Sequence, residues 1–372
     1  MTVRTNWHLG WVALLISGAV SGCSSASKMP EGEAEAAPAS MAATGAPLSA
    51  GEIDAALKAA YKEYKGIDEG KNADYIPALA KVPSNYYGLA IVTVDGKIHE
   101  TGDSDKQFSI QSISKVFTMA DVMQAEGDKK IESTVGVDAT GRAFNSIVAV
   151  EEYKGKEMNP LVNPGAIATT SMVPGNTPEE QWNRIIGIYS DFAGRKLEVN
   201  QEVYKSESET NQRNQAIGML MNAYGLLKGD PKTATDIYTR QCSVNVNAKD
   251  LATMAATLAN GGVNPITGKK VIDQKHIKGI LAVMATAGLY DDTGQWLFKT
   301  GLPAKSGVGG GIIAVVPGKY GVAVFSPPLD KAGNSVRAQK AIALIDAKLG
   351  SNPYDARPRE MAGKAAEGLK TQ

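Results

Sequence analysis

Two residues in the stretch from Phe108 to Met123, Ser112 and Lys115, stand three positions apart where a strand-like run gives way to a helical pattern. At i and i+3 of a helix two side chains share one face, so the amine reaches the hydroxyl and can take its proton. That is the chemistry of a serine acyl-transfer centre with lysine as base. A second element, Lys305-Ser306-Gly307 ahead of a glycine-rich strand start, adds the cation that accompanies such a pair. A helix N-terminus offers the serine backbone N–H groups and a positive dipole end, both of which favour an alkoxide and the oxyanion it creates. Lys115 would be desolvated against the helix face and near Lys305, which lowers its pKa toward that of a base.

Composition narrows the alternatives. Of three histidines, His8 lies in a segment expected to be cleaved, His99 sits in a hairpin after Asp95-Gly96, and His276 follows Lys275 on an expected helix surface. A Ser-His-Asp triad is therefore poorly supplied, and lysine is the better-placed base. The two cysteines stand far apart with no His/Cys cluster, which suggests no metal site. Tyrosine is the usual proton donor where histidine is absent, but the 13 tyrosines leave the choice open.

The first residues read as an address. Arg4 gives a positive start, Trp11 to Val20 is an apolar run too short to span a bilayer, and Val20-Ser21-Gly22-Cys23 has the form of a bacterial lipoprotein cleavage box. The expectation is a signal peptide over 1–22, lipidation of Cys23 and an extracytoplasmic enzyme held to a bacterial membrane on the periplasmic side. Ser24 in place of an aspartate favours the outer membrane. Residues 23–48 are mostly Ala, Ser, Pro, Gly and Glu, a composition that cannot bury enough surface to fold, and they read as a tether. The mature chain carries a net charge of about −1, so no nucleic-acid partner is suggested.

The elements that must position Ser112 follow from patterning over a catalytic domain of 49–349, with 350–372 as a tail. Ser49 and Glu52 form a capping box ahead of an apolar stripe at Ile53, Leu57, Ala60, Tyr61 and Tyr64. Gly88 to Val94, Asp95-Gly96 and a strand ending near Thr101 make a hairpin. Ile113, Val116, Phe117, Ala120 and Met123 predict a helix amphipathic up to Gly127. From about 127 to 262 the pattern is mostly helical, with a cap at Thr177-Pro178-Glu179-Glu180, a helix from about Asn211 to Leu227 and one from Asp250 to Leu258. Gly311 to Val316 and Tyr320 to Phe325 form a second hairpin, before a helix over Asn334 to Lys348. Strands at both ends with helices between predict an α/β chain of the α+β kind: one mixed sheet closed by both chain ends, flanked by helices, with a helical lobe inserted and Ser112 between the lobes.

Eight blocks, in order, carry a resemblance: ADYIPALAKV from Ala73, FSIQSISKVF from Phe108, NPLVNPGAI from Asn159, SESETNQRNQAIG from Ser206, YTRQCS from Tyr238, MATAGLYDDTG from Met284, GLPAKSGVGGGI from Gly301 and GNSVRAQKA from Gly333. The chain resembles the serine-dependent glutaminases, whose fold is similar to that of class A β-lactamases and penicillin-binding proteins. The resemblance spans nearly all of Ala73 to Ala341.

It implies Ser112 as nucleophile, Lys115 as its base, and Tyr75 and Tyr290 as tyrosines that assist proton transfer. Asn163, Glu207, Asn214 and Tyr238 would hold the amino-acid end of glutamine, the backbone N–H groups of Ser112 and Val308 would cradle the oxyanion, and Lys305 and Ser306 would support them. A free amino acid presents an ammonium, so a selective pocket needs an anion such as Glu207. Hydrolysis of L-glutamine to glutamate and ammonia through a glutamyl-serine intermediate is the implied activity, without cofactor or metal, in a homodimer or homotetramer. Two departures bear on the pocket: Pro164 after Asn163, which would restrain Asn163 to extended geometry, and Trp296-Leu297 where smaller residues are usual. The leader is a third, since bacterial members are usually cytoplasmic. The S-x-x-K and K-S-G elements alone also fit a penicillin-interacting peptidase or β-lactamase, and a leader with a glutamine pocket fits a non-catalytic glutamine-binding lipoprotein.

Overall fold

Antiparallel pairing of two hairpins builds the sheet that backs the site. In the computed structural model, which describes residues 48–355 apart from 155 and 157, the strands are β1 (Gly88–Thr93), β2 (Ile98–Gly102), β3 (Phe108–Ser109), β4 (Asn245–Val246), β5 (Ala304–Gly307), β6 (Gly311–Val316) and β7 (Tyr320–Phe325). Five of them form one sheet in the order β2-β1-β7-β6-β5, so the two ends of the chain meet where β1 pairs with β7, Ile91 opposite Val322. Helices Ala50–Tyr64 and Val336–Leu349 cover one face, burying Ile53, Leu57, Ile342 and Ile345 against Leu89, Ile91 and Val324. On the other face Ala248–Ala259 lies against the sheet and joins the larger core of the helical region. At Gly321 a Cβ would stand 2.2 Å from the Ala256 backbone nitrogen, so only glycine lets this helix lie so close.

The predicted caps are present: Ser49 and Glu52 bond reciprocally, and Thr177 accepts from the Glu180 N–H ahead of Pro178–Ala193. Between the strands the helices are more numerous and shorter than patterning suggested. A break at Asn211 separates Gln201–Thr210 from Gln212–Ala223, Pro231–Cys242 follows, and helices continue past residue 262 as Gln274–Ala287 and Thr293–Thr300. These pieces are turned inward by tertiary packing, so none needs the long single stripe that sequence periodicity detects.

Three expectations are corrected. The helix Ser114–Glu126 is not amphipathic: every residue from Ser114 to Met123 is buried, because helices pack around it on all sides. His276 is buried rather than on a surface, its Nδ1 paired with Asp128 on the start of helix Asp128–Thr134. Pro164 does not distort the chain at Asn163. It falls in the first turn of helix Asn163–Met172, where no N–H is needed, and the extended residue is Val162 (φ −95°, ψ 156°). Cys23, the leader and the tether lie outside the described residues.

Candidate active site

Ser112 is held by contacts far apart in sequence. β3 ends at Ser109, the Ile110 N–H donates to Val244 O at 2.8 Å, and a tight 3-10 turn, Gln111–Ile113, carries the serine into helix Ser114–Glu126. Gln111 adopts φ +50°, a left-handed conformation uncommon for a residue with a side chain, and this turns the chain from strand to helix within one residue. The glycine-rich end of β5 closes on the same turn. A Cβ on Gly307 would meet Ile110 O at 2.8 Å and one on Gly309 would meet Ser109 O at 2.5 Å, so these glycines let Ser306 and Val308 approach the serine.

Lys115 is buried one helical turn on. Its Nζ donates to Asn163 Oδ1 at 2.6 Å and to Leu161 O at 3.3 Å, and stands 5.8 Å from the centroid of the Tyr238 ring. Burial lowers its pKa to about 8, partly offset by Cys242 and Glu207. Asn163 Oδ1 also accepts from the Tyr238 hydroxyl at 3.1 Å, and its Nδ2 donates to Asn214 Oδ1 at 2.9 Å. Four of the residues named from sequence thus form one hydrogen-bonded chain.

Glu207 is buried, though an isolated carboxylate at a helix entry would be expected in water. Its Oε2 accepts from Gln111 Nε2 at 3.2 Å, and burial raises its pKa to about 7 against the opposing pull of Gln111 and Lys115. Ser112, Asn163, Glu207, Asn214, Tyr238 and Val308 line one cavity of about 270 Å³, with Tyr75 at its mouth more than half exposed. Trp296 is not among its walls; it is buried in the core beneath the sheet and donates to Leu302 O at 2.8 Å.

Tyr290 stands behind the serine. It has φ +54°, its phenol lies beside the Ser112 hydroxyl and donates to Ser306 O at 3.1 Å, and burial pushes its pKa well up. Lys305 Nζ sits 4.3 Å from the Tyr290 ring centroid and donates to the carbonyls of Gly288 and Ser306. Its pKa is lowered well below the ordinary value, first by burial and then by Lys115. Sequence reading missed Gln111, Phe144, Asn211 and Arg213, all in the cavity wall. Gln111 was adjacent to the named serine and Asn211 lay inside a quoted block, but the backbone turn and the packing that aim them are not readable from residue types.

The site brings together a buried serine, a buried lysine with a lowered pKa, a buried phenol and a buried carboxylate around one small cavity, the kinds of group a serine acyl transfer uses. Comparison with known proteins gives the family. The family model described as Glutaminase matches residues 70–354. The glutaminase of Colwellia psychrerythraea is 55% identical over 302 residues, covering 81% of this chain and 97% of that one, and the glutaminase of Mycobacterium ulcerans is 51% identical over 298 residues, covering 80% and 93%. The solved structure of a probable glutaminase, ybaS, superposes with a TM-score of 0.82 at 47% identity, over 83% of this chain and all of that one. A probable glutaminase from Bacillus subtilis, complexed with 6-diazo-5-oxo-L-norleucine, gives 0.72 at 27% identity, over 82% and 96%. Its fold is accordingly of the β-lactamase-like type shared by these serine-dependent enzymes. The chain belongs to the glutaminase family, whose reaction is hydrolysis of the side-chain amide of L-glutamine.

Proposed function

We propose that the reaction runs through a glutamyl ester on Ser112, and the observation that carries this reading is the buried setting of Lys115, one helical turn from Ser112 and hydrogen-bonded to Leu161 O and Asn163 Oδ1. A neutral amine has two N–H donors and one lone pair. With the donors engaged by Leu161 O and Asn163 Oδ1, the lone pair is free for the Ser112 hydroxyl proton, and a pKa of about 8 makes the neutral form accessible near physiological pH. The Ser112 oxygen then attacks the amide carbon, with the backbone N–H groups of Ser112 and Val308 as oxyanion donors. Tyr290, kept protonated by burial and beside Ser112, is suited to pass a proton to the departing nitrogen. Tyr75 assists from the mouth. Water then cleaves the ester by the reverse relay.

Substrate recognition rests on Glu207 for the ammonium and on Asn163, Asn214 and Tyr238 for the rest of the amino-acid end. Glu207 has one side-chain donor, Gln111, and therefore lone pairs to spare for a ligand cation. Lys305 and Ser306 fix the Tyr290 phenol through the Ser306 carbonyl.

The test is ammonia release by Ser112→Ala, expected to be lost with the fold intact; full activity would sink the mechanism. 6-Diazo-5-oxo-L-norleucine should label the unaltered protein on Ser112 and leave the variant unlabelled. The proposal also keeps the enzyme outside the cytoplasm on a lipid attached at Cys23, supported by the Val20-Ser21-Gly22-Cys23 box. Incorporation of an alkyne fatty acid in cells, absent from Cys23→Ser, tests that. Assembly as a homodimer or homotetramer is testable by light scattering.

A further inference from the structure

A second cavity, of about 190 Å³, has Tyr290 in its wall. Phe144 lines both cavities and is the partition they share; Tyr290 lines only the second, and its ring packs on the Phe144 ring with centroids 4.6 Å apart. The walls beyond include the loop Ala139 to Arg142, Thr286 at the end of helix Gln274–Ala287, Asp291 in the following turn, and Gly294 at the start of helix Thr293–Thr300. A cavity of this size has room for more than one water-sized molecule.

The proposed reaction has a use for such a space. Once the amide has been attacked, the Ser112 Oγ–carbon bond has formed, the carbon–nitrogen bond has broken, and the nitrogen, carrying the proton taken from Ser112, is free ammonia. The glutamyl group now fills the first cavity, anchored by ester at one end and Glu207 at the other. Water must still reach the ester carbon, form a new carbon–oxygen bond, and return a proton to Ser112 as the ester bond breaks. Ammonia must leave, gaining the proton that the product carboxylic acid gives up.

We propose that the cavity behind Phe144 and Tyr290 is the passage by which water enters and ammonia leaves while the glutamyl group occupies the substrate cavity. Its lining is partly polar. Tyr290 lies beside Ser112, Thr140, Thr286 and Thr293 are in the wall with their hydroxyl protons donated to backbone carbonyls, and Asp291 adds a carboxylate for the emerging ammonium. The inference rests on the reading of Ser112 as acyl carrier.

Two substitutions fill the passage without touching the partition or the substrate cavity. At Gly294 a Cβ meets open space, and Thr286 is exposed at the rim, so Gly294→Phe and Thr286→Trp test it from two walls. Blocking a step after acylation lowers kcat and KM together. The expected result is a fall in kcat of about fivefold or more, a matching fall in KM, kcat/KM within about twofold of the unaltered enzyme, and a larger steady-state fraction of glutamyl-Ser112 by acid-quench mass spectrometry. Unchanged kcat and acyl fraction in the folded variants, or a raised KM with reduced kcat/KM, overturns the inference. Formation of γ-glutamyl hydroxamate by the unaltered enzyme from glutamine and hydroxylamine, absent in Ser112→Ala, reads the acyl carrier separately. Its absence removes the Ser112 reading and the passage with it.

Discussion

Lys115 Nζ and Asn163 Oδ1 are joined by a 2.6 Å hydrogen bond, so the proposed base and a proposed substrate-binding side chain are one unit. An acceptor on the amine stabilises its charged form more than its neutral form, and therefore holds the pKa up against burial. Removing the acceptor in Asn163→Ala should move the alkaline-rising limb of kcat to lower pH, with kcat down by about 10- to 100-fold, whereas Asn163→Asp should move the limb up. A pH–rate series on both variants checks the opposite signs.

The unaltered enzyme should show two acid limbs with different causes. In the proposed mechanism catalysis needs neutral Lys115, so kcat should rise with pH through about 8 and then level. The proposed ammonium anchor, Glu207, must be ionised to bind and has a pKa of about 7, so KM should rise as pH falls below that value. Measuring kcat and KM separately across the neutral range distinguishes them. A flat KM below neutrality would count against Glu207 as the ammonium anchor.

Burial of Glu207 also costs stability. Its folded pKa of about 7 lies above the ordinary 4.5, so the folded chain retains a proton that the unfolded chain releases. The associated stability is present below about pH 4.5 and is lost as pH rises through about 7. Glu207→Gln should therefore have a higher Tm than the unaltered protein at mildly alkaline pH, with the difference closing in acid, while KM rises by on the order of 100-fold or more. Calorimetry at two pH values and ordinary kinetics check this.

Gly288 should tolerate no side chain. A Cβ there would lie 1.7 Å from Ala304 O and 2.5 Å from Met284 O, both backbone, and the Gly288 carbonyl itself accepts from Lys305. Gly288→Ala must push β5 away from helix Gln274–Ala287, moving Lys305 and Tyr290 together. Both Tm and kcat should fall steeply, and 6-diazo-5-oxo-L-norleucine labelling should slow in parallel.

Much of the frame was legible locally. The hairpins β1–β2 and β6–β7 announced themselves by continuous apolar runs beside the turns Asp95-Gly96 and Pro317-Gly318, and the Ser49 and Thr177 caps by short-range side-chain pairing. The centre of the molecule was less so. Ser114–Glu126 read as amphipathic because a stripe was present, although its polar residues are also buried: Ser114 faces Cys242, Thr118 bonds Tyr189, and Asp121 pairs with Arg184. Burial of polar groups follows from partners far away in the chain, which no local pattern encodes.

The same division runs through the site. Residue types and spacing alone established a serine with a lysine three places on, too few histidines for a triad, and a second lysine ahead of a glycine-rich strand, hence a class of chemistry. What folding decided is the state of those groups. The Lys115 pKa is lowered and the Glu207 pKa raised only because contacts between residues 108–115, 159–163, 207–214, 238–246 and 304–309 removed both from water. A pKa is set by solvent exclusion and neighbouring charge, and those are properties of packing between distant segments.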